Sequence, residues 1–302
     1  MSKKSRGIIL VVIASILWGI MGVSSRELSM AGYSSYDISF LRCLLAGSIY
    51  YLYLYITNRN LLRIDLKGLI VCFIYGSVAF TVSFLSYSIS VERIPVAVAT
   101  VLMFMSPIWV SILGAIVFKE KITLKNVITI GICLLGCILT AGLLSTTGGD
   151  LDPIGVIAGI INGIGVALQI MIPRYFKDKY DAGTMLVYGF LGGIISLGFI
   201  TNFEIIFTTV TGDKSTSVIL HILILGIVCT MIANTAYIKS SEYIGTSMTS
   251  ILSSLQTVVG ALVGYLIFRE IMTVFQIIGA LIIIVGSLGT EIYKILIKII
   301  KK

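Results

Sequence analysis

A chain of 302 residues that is 57% hydrophobic, only 12% charged and has a mean hydropathy of +1.06 carries far too little polar surface to cover a water-soluble globule. Its formal charge of +8 does not point to nucleic acid, because the Lys and Arg residues fall in short clusters between apolar runs rather than on one solvated face. An integral membrane protein is the class that remains.

The N-terminal MSKKSRG leads into GIILVVIASILWGI, which no small-x-small cleavage site closes and which many similar runs follow, so it reads as a first span and not as a secretory signal. A bilayer core of roughly 30 Å needs about 20 apolar residues per helix, since every backbone polar group must be satisfied within the segment. Ten stretches qualify, near 7–27, 36–56, 67–90, 95–118, 125–144, 153–173, 181–202, 217–238, 243–268 and 272–293. Their connections are short, the longest polar ones being 145–152 and 209–217, so function is expected inside the membrane. Cys43, Cys72, Cys133, Cys137 and Cys229 all lie in apolar segments and read as small hydrophobes without a redox or metal role.

Ten spans place the basic clusters at 3–6, 59–67, 119–125, 174–179, 239 and 294–302 on one side, with only Arg26, Arg93, Lys214 and Arg269 opposite. Because cytoplasmic loops retain Lys and Arg, both termini are expected in the cytoplasm of a multi-pass plasma-membrane protein.

The chain also repeats itself. A shift of 150 residues pairs Tyr87 with Tyr237, Glu92 with Glu242, Leu102 with Leu252, Gly114 with Gly264, Phe118 with Phe268 and Glu120 with Glu270. Near the start of each half a shift of 144 matches ASILWGI (14–20) to AGIINGI (158–164). The expected architecture is therefore an all-α integral membrane protein of ten transmembrane helices, built as two five-helix repeats over 1–146 and 147–302. Five is odd, so the second copy must enter the membrane upside down, and inverted repeats are the usual architecture of secondary transporters.

The motifs LWG at 17–19, FLRCLLAG at 40–47, Tyr87 to Pro107 leading to FKE at 118–120, and YIKSSEYIG and FRE in the second half resemble the ten-helix EamA-like members of the drug/metabolite transporter superfamily. The resemblance covers essentially the whole chain. It implies a central cavity between the halves, built from the first, third, fourth, sixth, eighth and ninth helices, with the fifth and tenth peripheral.

Polar and aromatic side chains at mid-membrane depth are costly against lipid and should face partner helices or a wet cavity. Trp18 and Asn162 hold equivalent positions in the two halves, each followed by Gly, and are expected in the cavity; the alternative is that Trp18 packs and Asn162 bonds another helix. Arg42, well inside the second helix, reads as a structural ion pair or carbonyl clamp, with direct contact to a solute, such as an amino acid's carboxylate, as the alternative; the resemblance implies that this arginine position recurs in the family. Tyr75, Ser83 and Tyr87 in the third helix, Gln169 two turns beyond Asn162, and Asn234 and Tyr237 in the eighth complete the substrate-binding set, with an interfacial place for Gln169 and a structural role for some of the others as the alternatives. Ser106, Pro107 and Trp109 interrupt the fourth helix, where Pro107 removes a donor, leaves the Met103 carbonyl without its helical partner and predicts a kink or gate hinge. The matching stretch of the ninth helix, SSLQT (253–257), has Gln256 for Ser106 and Thr257 for Pro107, which breaks the symmetry of the hinge and makes Gln256 a cavity candidate.

No Asp or Glu falls securely at mid-membrane, where proton-coupled exporters of cations usually hold one; Glu27, Asp37, Glu92, Glu204, Glu242, Glu270 and Glu291 all map to helix ends. The cavity reads as near-neutral. With one His, no metal-spaced cluster and no paired carboxylates, no reaction and no cofactor suggest themselves. The expected function is secondary transport of a small neutral or zwitterionic metabolite, such as an amino acid, by a monomer or weak dimer in contact with lipid. A nucleobase carrier of the same fold and a non-transporting sensor or scaffold are the alternatives.

Overall fold

The computed structural model describes residues 2–94, 96–141, 151–211, 215–269 and 272–300, with the backbone alone described for 91, 92, 96, 97, 215, 268 and 288–300. Of the sequence landmarks, Lys214, Glu270, Lys301, Lys302 and most of the loop 145–152 lie outside the described residues, as do the side chains of Glu92, Phe268, Glu291, Lys294 and Lys298.

The helices follow the apolar runs. In chain order they are α1 (Lys3–Gly19), α2 (Met21–Met30), α3 (Ser35–Thr57), α4 (Leu66–Tyr75), α5 (Ser83–Arg93), α6 (Val96–Met103), α7 (Ser106–Phe118) and α8 (Leu124–Thr140) in the first half. The second half holds α9 (Pro153–Phe176), α10 (Ala182–Gly198), α11 (Phe203–Thr211), α12 (Ser215–Leu223), α13 (Ala233–Ile244), α14 (Thr246–Leu252), α15 (Leu255–Phe268) and α16 (Val274–Ile300). Seven helical stretches are long and apolar enough to cross a bilayer; α10, α8 and the apolar part of α16 (Val274–Ser287) complete ten rods. Side-chain oxygens cap their starts: Ser2 caps α1, Ser34 and Asp37 form a reciprocal box on α3, and Asp65, Thr123, Asp152 and Asp181 cap α4, α8, α9 and α10. Each such cap contributes about 1 kcal/mol by satisfying an orphan N–H.

One predicted end moves. The seventh span stops at Gly198, not near 202, and the chain turns by 102° into α11. Asn202 causes the turn: its own N–H donates to Asp37 Oδ1 at 2.8 Å, and its side-chain oxygen accepts from the N–H groups of Glu204 and Ile205 at 3.1 and 3.3 Å.

The helix contacts repeat between the two halves. α1 packs on α13 and α15, while the equivalent α9 packs on α5 and on both pieces of the fourth span, α6 and α7; α3 pairs with α10, and α8 with α16. The symmetry extends to irregular backbone. The third span widens into a π-helical turn at Gly76–Val82, and the eighth does so at Ile224–Ile232, 150 residues on. Gly76 and Gly226 sit at matching points in these turns. A Cβ on Gly76 would lie 1.9 Å from the Gly189 carbonyl oxygen, and one on Gly226 would lie 2.5 Å from Leu45 Cβ, so only glycine permits either approach.

The fourth span is broken between Met103 and Ser106, with Pro107 in the first turn of α7, as the proline predicts. The ninth is broken at the equivalent place, between Leu252 and Leu255, although it has no proline. The expected loss of symmetry at this hinge is therefore wrong. Ser253 Oγ donates to the Ser250 carbonyl and Ser254 Oγ to the Ile251 carbonyl, both at 2.7 Å, so serine hydroxyls occupy carbonyls that a continuous helix would have used.

The echo of FKE and FRE marks the end of the same two spans. Lys119 and Arg269 both adopt the left-handed conformation, φ 54° and ψ 32°, and turn their N–H groups onto the carbonyls of Gly114 and Gly264. A non-glycine residue in this region costs about 1–2 kcal/mol, which the capped carbonyl offsets.

Candidate functional site: a cavity between the repeats

A cavity of about 240 Å³ lies between the two halves, lined by side chains of the first, second, third, fourth, sixth, eighth and ninth spans. Its mouth is at the face away from the N-terminus, where Ser29 and Ser35 are exposed, and its walls include Trp18, Phe80, Phe84 and Tyr87. α8 and α16 pair with each other and contribute no lining residue among the described ones, in keeping with a peripheral fifth and tenth span.

Below the floor buried apolar side chains close the space, and a separate pocket of about 260 Å³ bounded by Arg174, Lys177, Asp181 and Glu242 lies at the N-terminal face. Val11, Val110, Ile170, Met171, Tyr237 and Leu252, drawn from the first, fourth, sixth, eighth and ninth spans, form an apolar plug. The face itself is tied by polar contacts across the repeats. Arg174 pairs with Glu120, donates to Thr246 Oγ1 at 2.6 Å and lies 4.1 Å over the Phe118 ring. Ser240 Oγ donates to the Gly7 carbonyl at 2.8 Å, and Tyr180 OH donates to Asp65 at 2.8 Å. That bond holds the Asp65 carboxyl below the usual carboxylate range. At the opposite face Arg93 reaches Asp152 at 3.1 Å, beside the Ile154 N–H that, with the arginine, also lowers the Asp152 carboxyl.

Seven of the expected substrate-binding residues line the cavity together: Trp18, Ser83, Tyr87, Asn162, Gln169, Asn234 and Gln256. The wide turns explain how several of them are held. Gln169 Nε2 donates to the Ala79 carbonyl at 3.0 Å and Asn162 Nδ2 to the Ser83 carbonyl at 2.7 Å, so two carboxamides from α9 take carbonyls in and just past the first wide turn. In the second wide turn the Thr230 hydroxyl donates to Leu225 O at 2.7 Å, and Asn234 Nδ2 takes the Thr230 carbonyl at 2.8 Å. Asn162 is thus both a helix tie and a cavity wall, and its Oδ1 has no hydrogen-bond partner among the described residues.

Four expected site residues are elsewhere, with a hinge residue beside them. Tyr75 is fully buried and donates its hydroxyl to the Gln169 carbonyl at 3.1 Å, bracing α9 from behind. Tyr237 lies under Trp18, ring centroids 4.9 Å apart, as part of the plug. Ser106 and Pro107 are buried where α7 restarts, and Trp109 packs against α9, where a Cβ on Gly163 would meet its Nε1 at 3.4 Å. Aromatic and polar character drew attention to all of them, but Tyr75 and Tyr237 are buried among neighbouring helices and Ser106, Pro107 and Trp109 do not line the cavity.

Arg42 corrects two expectations. It lines the cavity, and no carboxylate among the described residues pairs with it. Its Nε donates to Thr230 Oγ1 at 2.9 Å and its guanidinium carbon lies 4.9 Å over the Phe84 ring, so it is neither in an ion pair nor clamped by a carbonyl. The cavity is consequently not neutral. Sequence reasoning also passed over Ser25, Ser29, Ser35, Ser39 and Ser88 on the cavity wall. Their signal was present: Ser25 and Ser29, and Ser35 and Ser39, stand four residues apart on one helix face.

The model of the EamA-like transporter family matches the chain twice, over residues 5–142 and 153–291. The chain belongs to the EamA-like transporter family, within the drug/metabolite transporter superfamily, and is a multi-pass membrane protein. It is 25% identical over 293 residues to the uncharacterized inner membrane transporter YicL of Salmonella typhimurium, covering 94% of each chain. An uncharacterized transporter of Archaeoglobus fulgidus is 25% identical over 279 residues, covering 92% of this chain and 93% of its own, and the uncharacterized transporter YxxF of Bacillus subtilis is 23% identical over 290. One solved crystal structure superposes with a TM-score of 0.76 at 15% identity, covering 96% of this chain and 97% of that one, a likeness of fold.

Proposed function

We propose that this protein is a secondary transporter that moves a small organic metabolite across the cytoplasmic membrane by alternating access, with the cavity between the repeats as its binding site. The observation that carries the reading is the cavity's asymmetry. It opens at one face and is stopped at the other by a plug built from both halves. Two halves related by a pseudo-two-fold axis can exchange conformations at nearly equal energy, and the exchange opens the plugged side while closing the open one. The broken fourth and ninth spans and the wide turns of the third and eighth are the joints at which backbone bonding is already relaxed. The clustering of Lys and Arg on the N-terminal side supports a cytoplasmic N-terminus, and so a cavity open to the outside.

The polar walls and aromatic faces suit a compound of amino-acid size. The amino groups of Asn162 and Gln169 are engaged by backbone carbonyls, which leaves Gln256 as the free carboxamide for a nucleobase edge, the alternative cargo. Thermal stabilisation of the purified protein across a metabolite panel, followed by counterflow of the best compounds in proteoliposomes, tests the proposal. Saturable counterflow supports a carrier; stabilisation without counterflow supports a sensor.

A further inference from the structure

We propose that Arg42 is the anchor for a carboxylate on the transported compound, so that the cargo is a small organic acid or an amino acid held by its acidic end. The inference rests on the transporter reading and names its substrate class.

Arg42 lies seven residues into α3, roughly 10 Å along the helix from its start. A guanidinium at that depth is expensive unless its charge and its donors find partners. Here Nε is fixed on the Thr230 hydroxyl, and the Thr230 hydroxyl is itself fixed on the Leu225 carbonyl. The plane rests near Phe84. Those contacts set the orientation of the fork but use only one of its five N–H groups. The terminal amino groups have no acceptor among the described residues, and the side chain faces the cavity.

Charge points the same way. Among the described residues no Asp or Glu lines the cavity, and Arg42 is the sole charged side chain among those lining residues. A planar, bidentate donor set with an uncompensated positive charge matches a carboxylate better than a neutral solute. Around it, Trp18, Met21, Phe80, Phe84, Tyr87 and Met103 offer apolar and aromatic surface for a carbon body.

The test uses the full-length chain with Ser25→Cys on the cavity wall; the five native cysteines are buried and react slowly by comparison. Rates of modification are measured with anionic methanethiosulfonate ethylsulfonate and its cationic ethyltrimethylammonium counterpart. Arg42→Gln should lower the anionic-to-cationic rate ratio by about tenfold, while Arg42→Lys holds it within about twofold. Protection against labelling is then compared for L-phenylalanine, 3-phenylpropionate and their amides. Protection by carboxylates alone, lost in Arg42→Gln and weakened in Thr230→Val, supports the assignment. L-Phenylalanine protecting better than 3-phenylpropionate marks an amino-acid cargo. A rate ratio unmoved by Arg42→Gln, equal protection by the amides, or no protection by any carboxylate overturns it. Arg42-dependent protection without counterflow would retire the transporter reading and leave the anion site standing.

Discussion

The Asn162 carboxamide donates to the Ser83 main-chain carbonyl at 2.7 Å, so a side chain of the second repeat holds the irregular third span of the first in place beside the cavity. The same residue forms part of the cavity wall. Asn162→Leu should therefore reduce counterflow by more than tenfold and also lower stability by about 0.5–1.5 kcal/mol, since it removes a buried bond between the repeats while the Ser86 hydroxyl still donates to the Ser83 carbonyl. Initial counterflow rates and a detergent melting curve read the two effects separately.

Gln256→Leu should behave differently. Its side chain lines the cavity, and no described residue bonds to it, so transport is expected to fall severalfold with a change in stability of no more than about 0.5 kcal/mol. Wild-type turnover in this variant would remove Gln256 from the path of the solute.

Arg174 binds Glu120 and Thr246 across the sealed face, and losing it should loosen that seal. Arg174→Gln is expected to raise, by severalfold, the rate at which Met248→Cys in the plug wall reacts with an impermeant thiol reagent applied from the N-terminal side. An unchanged rate would show that the apolar plug alone closes the face.

Counterflow and uptake should proceed without a pH gradient, because among the described residues no carboxylate lines the cavity to exchange a proton for solute. Dissipating the gradient with a protonophore in proteoliposomes checks this; collapse of uptake would place a coupling proton elsewhere in the protein.

The Asp65 carboxyl, lowered chiefly by the Tyr180 hydroxyl, links the loop after the second span to the loop after the sixth. A carboxyl depressed in the folded state contributes stability that is present above its unfolded value, about 3.9, and lost as pH falls through the folded one. Melting temperature should therefore hold steady from neutral pH to about 5 and drop below 4, with a smaller drop in Asp65→Asn.

Much of this architecture is written locally. Apolar runs of the right length mark the spans, Asp65, Asp152 and Asp181 mark helix starts, and the recurrence of Phe118-Lys119-Glu120 at residues 268–270 reveals the inverted halves. The site is legible where a polar residue stands alone in an apolar run, as with Asn162, Gln169 and Asn234. What stays hidden depends on partners far away in the chain. Arg42 is oriented by Thr230, 188 positions later, and nothing near either residue announces the pairing. The wide turns at GSVAFTV and ILGIVCTMI have no distinguishing composition, and the serine-made break at 253–254 lacks the proline that betrays its twin.

The most direct measurement concerns the two left-handed caps. Lys119→Cys and Arg269→Cys, made singly in full-length protein and challenged with an impermeant thiol reagent from one side of the membrane, report which face each repeat presents. Oppositely inserted halves around a shared cavity require labelling of the two positions from opposite sides. Labelling of both from the same side would contradict the inverted arrangement, and the cavity's role in transport with it.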